Sequence, residues 1–143
     1  MTDWRPFDIK SFLKASRHWD DDIKRLQEEH DNLSELPSSG NIQAGTKGSI
    51  SDMTGRVALR RLEITAQIEE IMLCKEMLAF ALKTLSNEDK RLIDGFFYPK
   101  QSIGSFVYDY GKEQGLNKDY VYAERERVLK KMGDVILRQY YEE

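Results

Sequence analysis

A chain of 143 residues suits one compact domain or two small units joined by a linker, long enough for a real core but short for a large enzyme domain. Charged residues at 33% and hydrophobic residues at 40% give ordinary globular composition with a lean toward solvent-facing helices. The net charge of -3 argues against a protein that coats nucleic acid indiscriminately, because such binding draws its energy mainly from released counterions.

From Phe7 to Leu33 the apolar positions Ile9, Phe12, Leu13, Trp19, Ile23, Leu26, His30 and Leu33 recur mostly at three and four residues, which predicts one long helix. Its outer face carries Asp20, Asp21, Asp22, Lys24, Arg25, Glu28 and Glu29. Pro37 to Gly55 is rich in glycine and serine and has little to bury, so a flexible connector is expected there. A second long helix is expected from about Met53 to Lys83, with Val57, Leu59, Leu62, Ile64, Ile68, Ile71, Met72, Cys74, Leu78 and Leu82 dense enough to be covered on two flanks. The connector allows the two helices to form an antiparallel hairpin and equally allows the first to pack on a neighbouring subunit.

Ser86-Asn87-Glu88-Asp89 supplies an N-cap with an acid three positions on, marking the start of a third helix. Leu92, Ile93, Phe96 and Phe97 form its stripe, and it ends at Tyr98-Pro99. A fourth helix from Ser102 carries Ile103, Phe106, Val107 and Tyr110 at i, i+3, i+4 and i+7, and stops at Gly115. Asn117 caps the last helix, in which Val121, Val128, Leu129, Met132, Val135 and Ile136 define the buried stripe.

The fold class is therefore all-α, with an N-terminal long helical hairpin and oligomerisation region over residues 1–85, including the connector 37–55, and a C-terminal helix-turn-helix over 86–143. A helix-turn-helix needs a short helix, a tight turn and a second helix whose first turns face the major groove. Gly111, four residues before Gly115, lets the two helices approach closely, and Leu116 fills the space beneath the turn. In residues 117–131 five cations stand against three acids, leaving +2, whereas residues 1–34 hold six against eight, leaving -2. The nucleic-acid surface is thus expected near the C-terminus. Lys118, Asp119, Tyr120, Tyr122, Ala123, Arg125 and Arg127 fall near it. Arg125 is expected to grip a guanine edge, Lys118 and Tyr122 to bond phosphates, and Arg127, Lys130 or Lys131 to hold the flanking backbone. Glu124 and Glu126 oppose phosphate unless paired, and Glu126 with Lys130 has the favourable i, i+4 spacing.

Other constellations are weaker. Gly40 to Lys47 reads G-x-x-x-x-G-T-K, with the lysine one position late for a phosphate-binding loop and no strand before it. His18, His30 and Asp20 to Asp22 read as a solvated helix face rather than a metal site. The single Cys74 cannot form an internal disulfide and reads as a buried thiol. Trp4, Phe7, Tyr140 and Tyr141 read as packing residues. No catalytic triad or dyad has local support, so the chain is expected not to be an enzyme and to need no cofactor. With no run near the roughly eighteen apolar residues of a membrane span and no secretory leader, it is expected to be cytoplasmic.

Leu85 to Ile93 with Phe97-Tyr98, then Asn117 to Tyr122 and Arg125 to Met132, resemble the RinA/ArpU-type family of phage and prophage late-gene transcription activators, whose C-terminal part is similar to region 4 of sigma factors. The general layout of the chain resembles the family as well, and the specific motifs lie in its last 60 or so residues. The resemblance implies sequence-specific binding of double-stranded DNA near a late promoter in a bacterial host, with activation of packaging, structural or lysis genes. The chain departs from the family at Ala123 and Glu124, where a basic residue usually follows the Val-Tyr pair, and at Gln114, where a leucine usually precedes the glycine. The site residues are then Asn117, Lys118, Tyr120, Tyr122, Arg125, Arg127, Lys130 and Lys131, the expected assembly a homo-oligomer, a dimer first, and a second expected partner RNA polymerase, touched by the acidic N-terminal helices. The competing readings are a small terminase-like packaging protein and a helical adaptor without nucleic-acid binding.

Overall fold

A computed structural model describes residues 8–35 and 47–141. Those residues form helices joined by short turns, with no strand among them: α1 (Ile9–Ser16), α2 (Trp19–Glu35), α3 (Lys47–Lys83), α4 (Asn87–Phe97), α5 (Ile103–Gln114), α6 (Lys118–Ile136) and a closing π-helical turn, Leu137–Tyr141. The chain divides into two compact units, residues 18–74 and residues 1–17 with 75–143. The division falls inside α3, and α1 goes with the C-terminal helices.

The single helix expected over Phe7 to Leu33 is two helices, broken at Arg17 and His18. Leu13 and Trp19, both buried, are six residues apart, a spacing that a continuous helix cannot keep on one face. At the break the Ser16 hydroxyl donates to the Leu13 carbonyl at 2.5 Å and also hydrogen-bonds the Tyr98 hydroxyl of α4. Asp8 caps α1 by accepting from the Ser11 amide at 3.1 Å. Trp4 and Phe7, the glycine-rich Gly40 motif and the connector as far as residue 46 lie outside the described residues. From Lys47 to Gly55 the expected connector is instead the start of α3.

In the unit of residues 18–74, Glu29 of α2 forms a salt bridge with Arg60 of α3 at 2.7 Å, and Arg61 donates to the Leu33 carbonyl at 3.3 Å. Trp19, Leu26 and Ile64 are buried. The second covered flank expected for α3 is missing: Leu59 is 61% and Leu62 67% exposed, and Met72 and Leu73 are also exposed. Cys74 is half-buried, and burial, then the nearby Glu70 carboxylate, push its thiol pKa up, away from nucleophilic chemistry.

The other unit has one core. Ile9 and Leu13 of α1, Met77 and Ala81 at the end of α3, Leu92, Ile93, Phe96 and Phe97 of α4, Phe106, Val107 and Tyr110 of α5, and Val121, Val128, Leu129, Met132 and Ile136 of α6 are all buried in it. The stripes expected for the three C-terminal helices are therefore the buried ones, except that Ile103 is exposed and Val135 only half-buried. Helix α6 packs against α1, α4 and α5, and α4 against α5. Phe96 meets Phe106 edge-on, with centroids 5.5 Å apart, and a Cβ on Gly95 would strike the Phe106 ring at 2.2 Å, so this crossing needs a bare backbone. Tyr140, in the closing turn, meets Phe80 of α3 edge-on.

Candidate nucleic-acid interface

The orientation of α6 is set locally, by the way α5 ends. Ser102 caps α5, its hydroxyl accepting from the Ser105 amide at 3.1 Å. At the other end Gly115 takes the left-handed conformation, φ 70°, in which a Cβ is disfavoured. The Leu116 amide then bonds back to the Gly111 carbonyl at 2.8 Å. A Cβ on Gly111 would lie 2.6 Å from the Leu116 carbonyl oxygen and 3.3 Å from Val121 Cγ2. Hydrogen there is what lets the chain fold back so tightly. Asn117 follows as the N-cap of α6, accepting from the Tyr120 amide at 3.1 Å.

With the stripe of Val121, Val128, Leu129, Met132 and Ile136 turned inward, the helical period sends Asp119, Tyr120, Ala123, Arg127, Lys130 and Lys131 to the opposite side. All six are exposed, Tyr120 to 62%. Asn117 and Lys118 are exposed at the N-terminal end. Lys118 borders a shallow groove with Gly104, Val107, Tyr108, Lys112 and Leu116. Lys118, Lys130 and Lys131 make no ion pair among the described residues.

Two of the expected contact residues lie elsewhere. Tyr122 is half-buried, its ring 5.4 Å from that of Phe96. The Arg125 guanidinium lies 5.0 Å from the ring centroids of both Phe96 and Tyr122. It also bonds Glu126 at 2.7 Å, its side chain is 24% exposed, and its Nε is enclosed without a hydrogen-bond partner. These cation–π contacts hold Arg125 against α4. The side chains expected to grip guanine, Arg125, and to bond phosphate, Tyr122, thus both pack on the domain.

Arg127 is exposed but engaged. It bonds Asp89, near the start of α4, at 2.8 Å and Glu124 at 2.8 Å. Asp89 is buried, and Arg127 is the partner that compensates its charge. Glu126 bonds Lys10 of α1 at 3.0 Å. The two glutamates that would repel phosphate are thus neutralised inside the unit, by Arg127, Lys10 and Arg125 rather than by Lys130. Burial raises the Glu126 pKa, but the hydrogen bonds from Lys10 and Arg125 outweigh it and hold the carboxyl below the ordinary carboxylate range.

The partners Asp89, Phe96 and Lys10 escape sequence reasoning. Arg127 and Asp89 are 38 positions apart, and no local spacing joins residues on different helices. Among the described residues no group of three or more His, Cys, Asp or Glu could hold a metal, and no helix is long and apolar enough to cross a membrane. Comparison of the chain with protein-family models, with curated proteins and with solved structures gives no match in any of the three.

Proposed function

We propose that α5 and α6 act as a helix-turn-helix that binds duplex DNA, and that the protein is a transcriptional regulator, an activator of phage or prophage late genes working in the bacterial cytoplasm. The observation that carries the DNA-binding reading is the outward face of α6. Its first turns are capped and aimed by the Gly111–Gly115 turn, and beyond them the face carries Lys130 and Lys131 free of carboxylate partners. The step from DNA binding to late-gene activation rests on the resemblance of Leu85 to Ile93 and Asn117 to Met132 to the RinA/ArpU-type activators.

In this reading the first turns of α6 enter the major groove while Lys118, Lys130 and Lys131 engage phosphates on either side. Helices α2 and α3 pair as an antiparallel hairpin, supported by the Glu29–Arg60 and Leu33–Arg61 contacts. The exposed positions Leu59, Leu62, Ala66 and Leu73, spaced three, four and seven apart on α3, favour self-association as a dimer. The acidic face of α2 is left for RNA polymerase.

The test is fluorescence anisotropy of the full chain with duplex DNA from beside its own gene, at several salt concentrations. Binding is expected to weaken steeply with salt, with a log–log slope of about -0.9 per phosphate contact. Replacing Lys118, Lys130 and Lys131 together by alanine is expected to flatten that slope by about 2 to 3. Absence of salt-sensitive binding would favour the helical adaptor. Sedimentation of the free protein checks the dimer, and a closed ring of many subunits would point to the packaging protein instead.

A further inference from the structure

Resting on the helix-turn-helix reading, we infer that the base contacts of α6 come from a carboxylate, a methyl and a phenol ring, Asp119, Ala123 and Tyr120, and that the site read is a cytosine-bearing pair with thymine one or two base pairs away. Within the first two and a half turns of α6, the two arginines that would grip a guanine O6 and N7 are both engaged by other side chains of the domain. Arg125 is turned onto Phe96 and Tyr122 and bonded to Glu126. Arg127 is shared between Asp89 and Glu124, two carboxylates for one guanidinium. Exposed there beside the engaged Arg127 are Lys118, assigned above to phosphate, and Asp119, Tyr120 and Ala123, which are left to meet the bases.

Each has a definite preference in the major groove. A carboxylate only accepts, so Asp119 is repelled by phosphates and by the acceptors of guanine, and is satisfied by the cytosine N4 amino group. The Ala123 methyl matches the thymine C5-methyl, and the Tyr120 ring offers a second apolar surface beside it. Asp119 and Ala123 are one turn apart, about 6 Å along the helix axis at 1.5 Å per residue. A base pair rises about 3.4 Å. The cytosine and the thymine therefore lie within about two pairs of each other when α6 runs along the groove. Asp119 also sits in the first turn of α6, where an acid stabilises the helix dipole. That structural role fixes no base preference, which is what separates it from the reading role.

The experiment is selection of the full-length protein against a random duplex pool, followed by base-analogue substitution in the selected site. Enrichment of cytosine and thymine within two pairs is expected. Replacing the selected thymine by deoxyuridine, which lacks only the methyl, should weaken binding about fourfold. Replacing guanines by 7-deazaguanine, which lacks the N7 acceptor, should leave affinity unchanged. Asp119→Asn should reduce discrimination at the cytosine pair about tenfold, as a change of preference rather than of overall affinity. The inference is overturned by a selected site in which deoxyuridine is neutral and 7-deazaguanine costs tenfold or more. That result would leave the helix-turn-helix reading standing with a guanine-gripping arginine. Failure of the pool to enrich, together with binding insensitive to salt, would overturn both.

Discussion

Gly111 is the residue on which the aim of α6 depends most directly. A Cβ there would meet a backbone atom, the Leu116 carbonyl oxygen, and Leu116 cannot retreat because its own amide is bonded to Gly111. Gly111→Ala is expected to cost about 1 to 3 kcal/mol in chemical denaturation. Gly55→Ala, where nothing lies within 4 Å, should instead stabilise α3 by up to about 1 kcal/mol. Equal effects at the two sites would contradict the packing described. Glu126 gives a pH-dependent counterpart. Its pKa in the folded protein lies below the ordinary 4.5 despite burial, because Lys10 and Arg125 bond the ionised form. Stability from this group is thus present above the unfolded-state value and is lost as pH falls from about 4.5 through the lower folded value. A carboxyl NMR titration should place its midpoint below the ordinary glutamate value, and a midpoint above it would show that burial wins.

Among the elements, α4, α5 and α6 are legible in the sequence because independent signals coincide. Ser86, Ser102 and Asn117 each accept from the amide three residues on, Gly115 adopts the left-handed cap, and the stripes of period 3.6 fall between these caps. The N-terminal part is less legible. The break between α1 and α2 is written only in the six-residue step from Leu13 to Trp19, hidden among spacings of three and four. The start of α3 runs against composition, since Lys47 to Gly55 contains two glycines and two serines. Adding residues to an existing helix costs far less than nucleating one, so a weak segment can extend a strong one. Of the candidate site, the exposed face of α6 follows from periodicity, whereas the diversion of Arg125 and Tyr122 onto Phe96 depends on a neighbouring helix that spacing does not reveal. The ion pair between Asp89 and Arg127 couples α4 to α6, and Asp89→Ala should cost about 1 to 2 kcal/mol by removing a charge-assisted hydrogen bond that Glu124 partly replaces. No loss of stability would mean that Arg127 is already satisfied by Glu124 alone.

For the molecule as a whole, charge placement matters more than its sum. For a chain of net charge -3 to meet a polyanion, it needs a surface from which its acids have been withdrawn. On α6 that withdrawal is accomplished by pairing Glu124 with Arg127 and Glu126 with Lys10 and Arg125, which leaves Lys130 and Lys131 unopposed on the outer face. Asp119 remains as the acid at the tip. The central claim is that this face, and no other, meets duplex DNA. Titrating isotopically labelled protein with a selected duplex and following its amide resonances tests this most directly. The account predicts the largest changes at Asn117 to Tyr120, Ala123, Arg127, Lys130 and Lys131, with the exposed apolar face of α3 at Leu59 and Leu62 undisturbed. Changes concentrated away from α6, or none on addition of duplex, would contradict it.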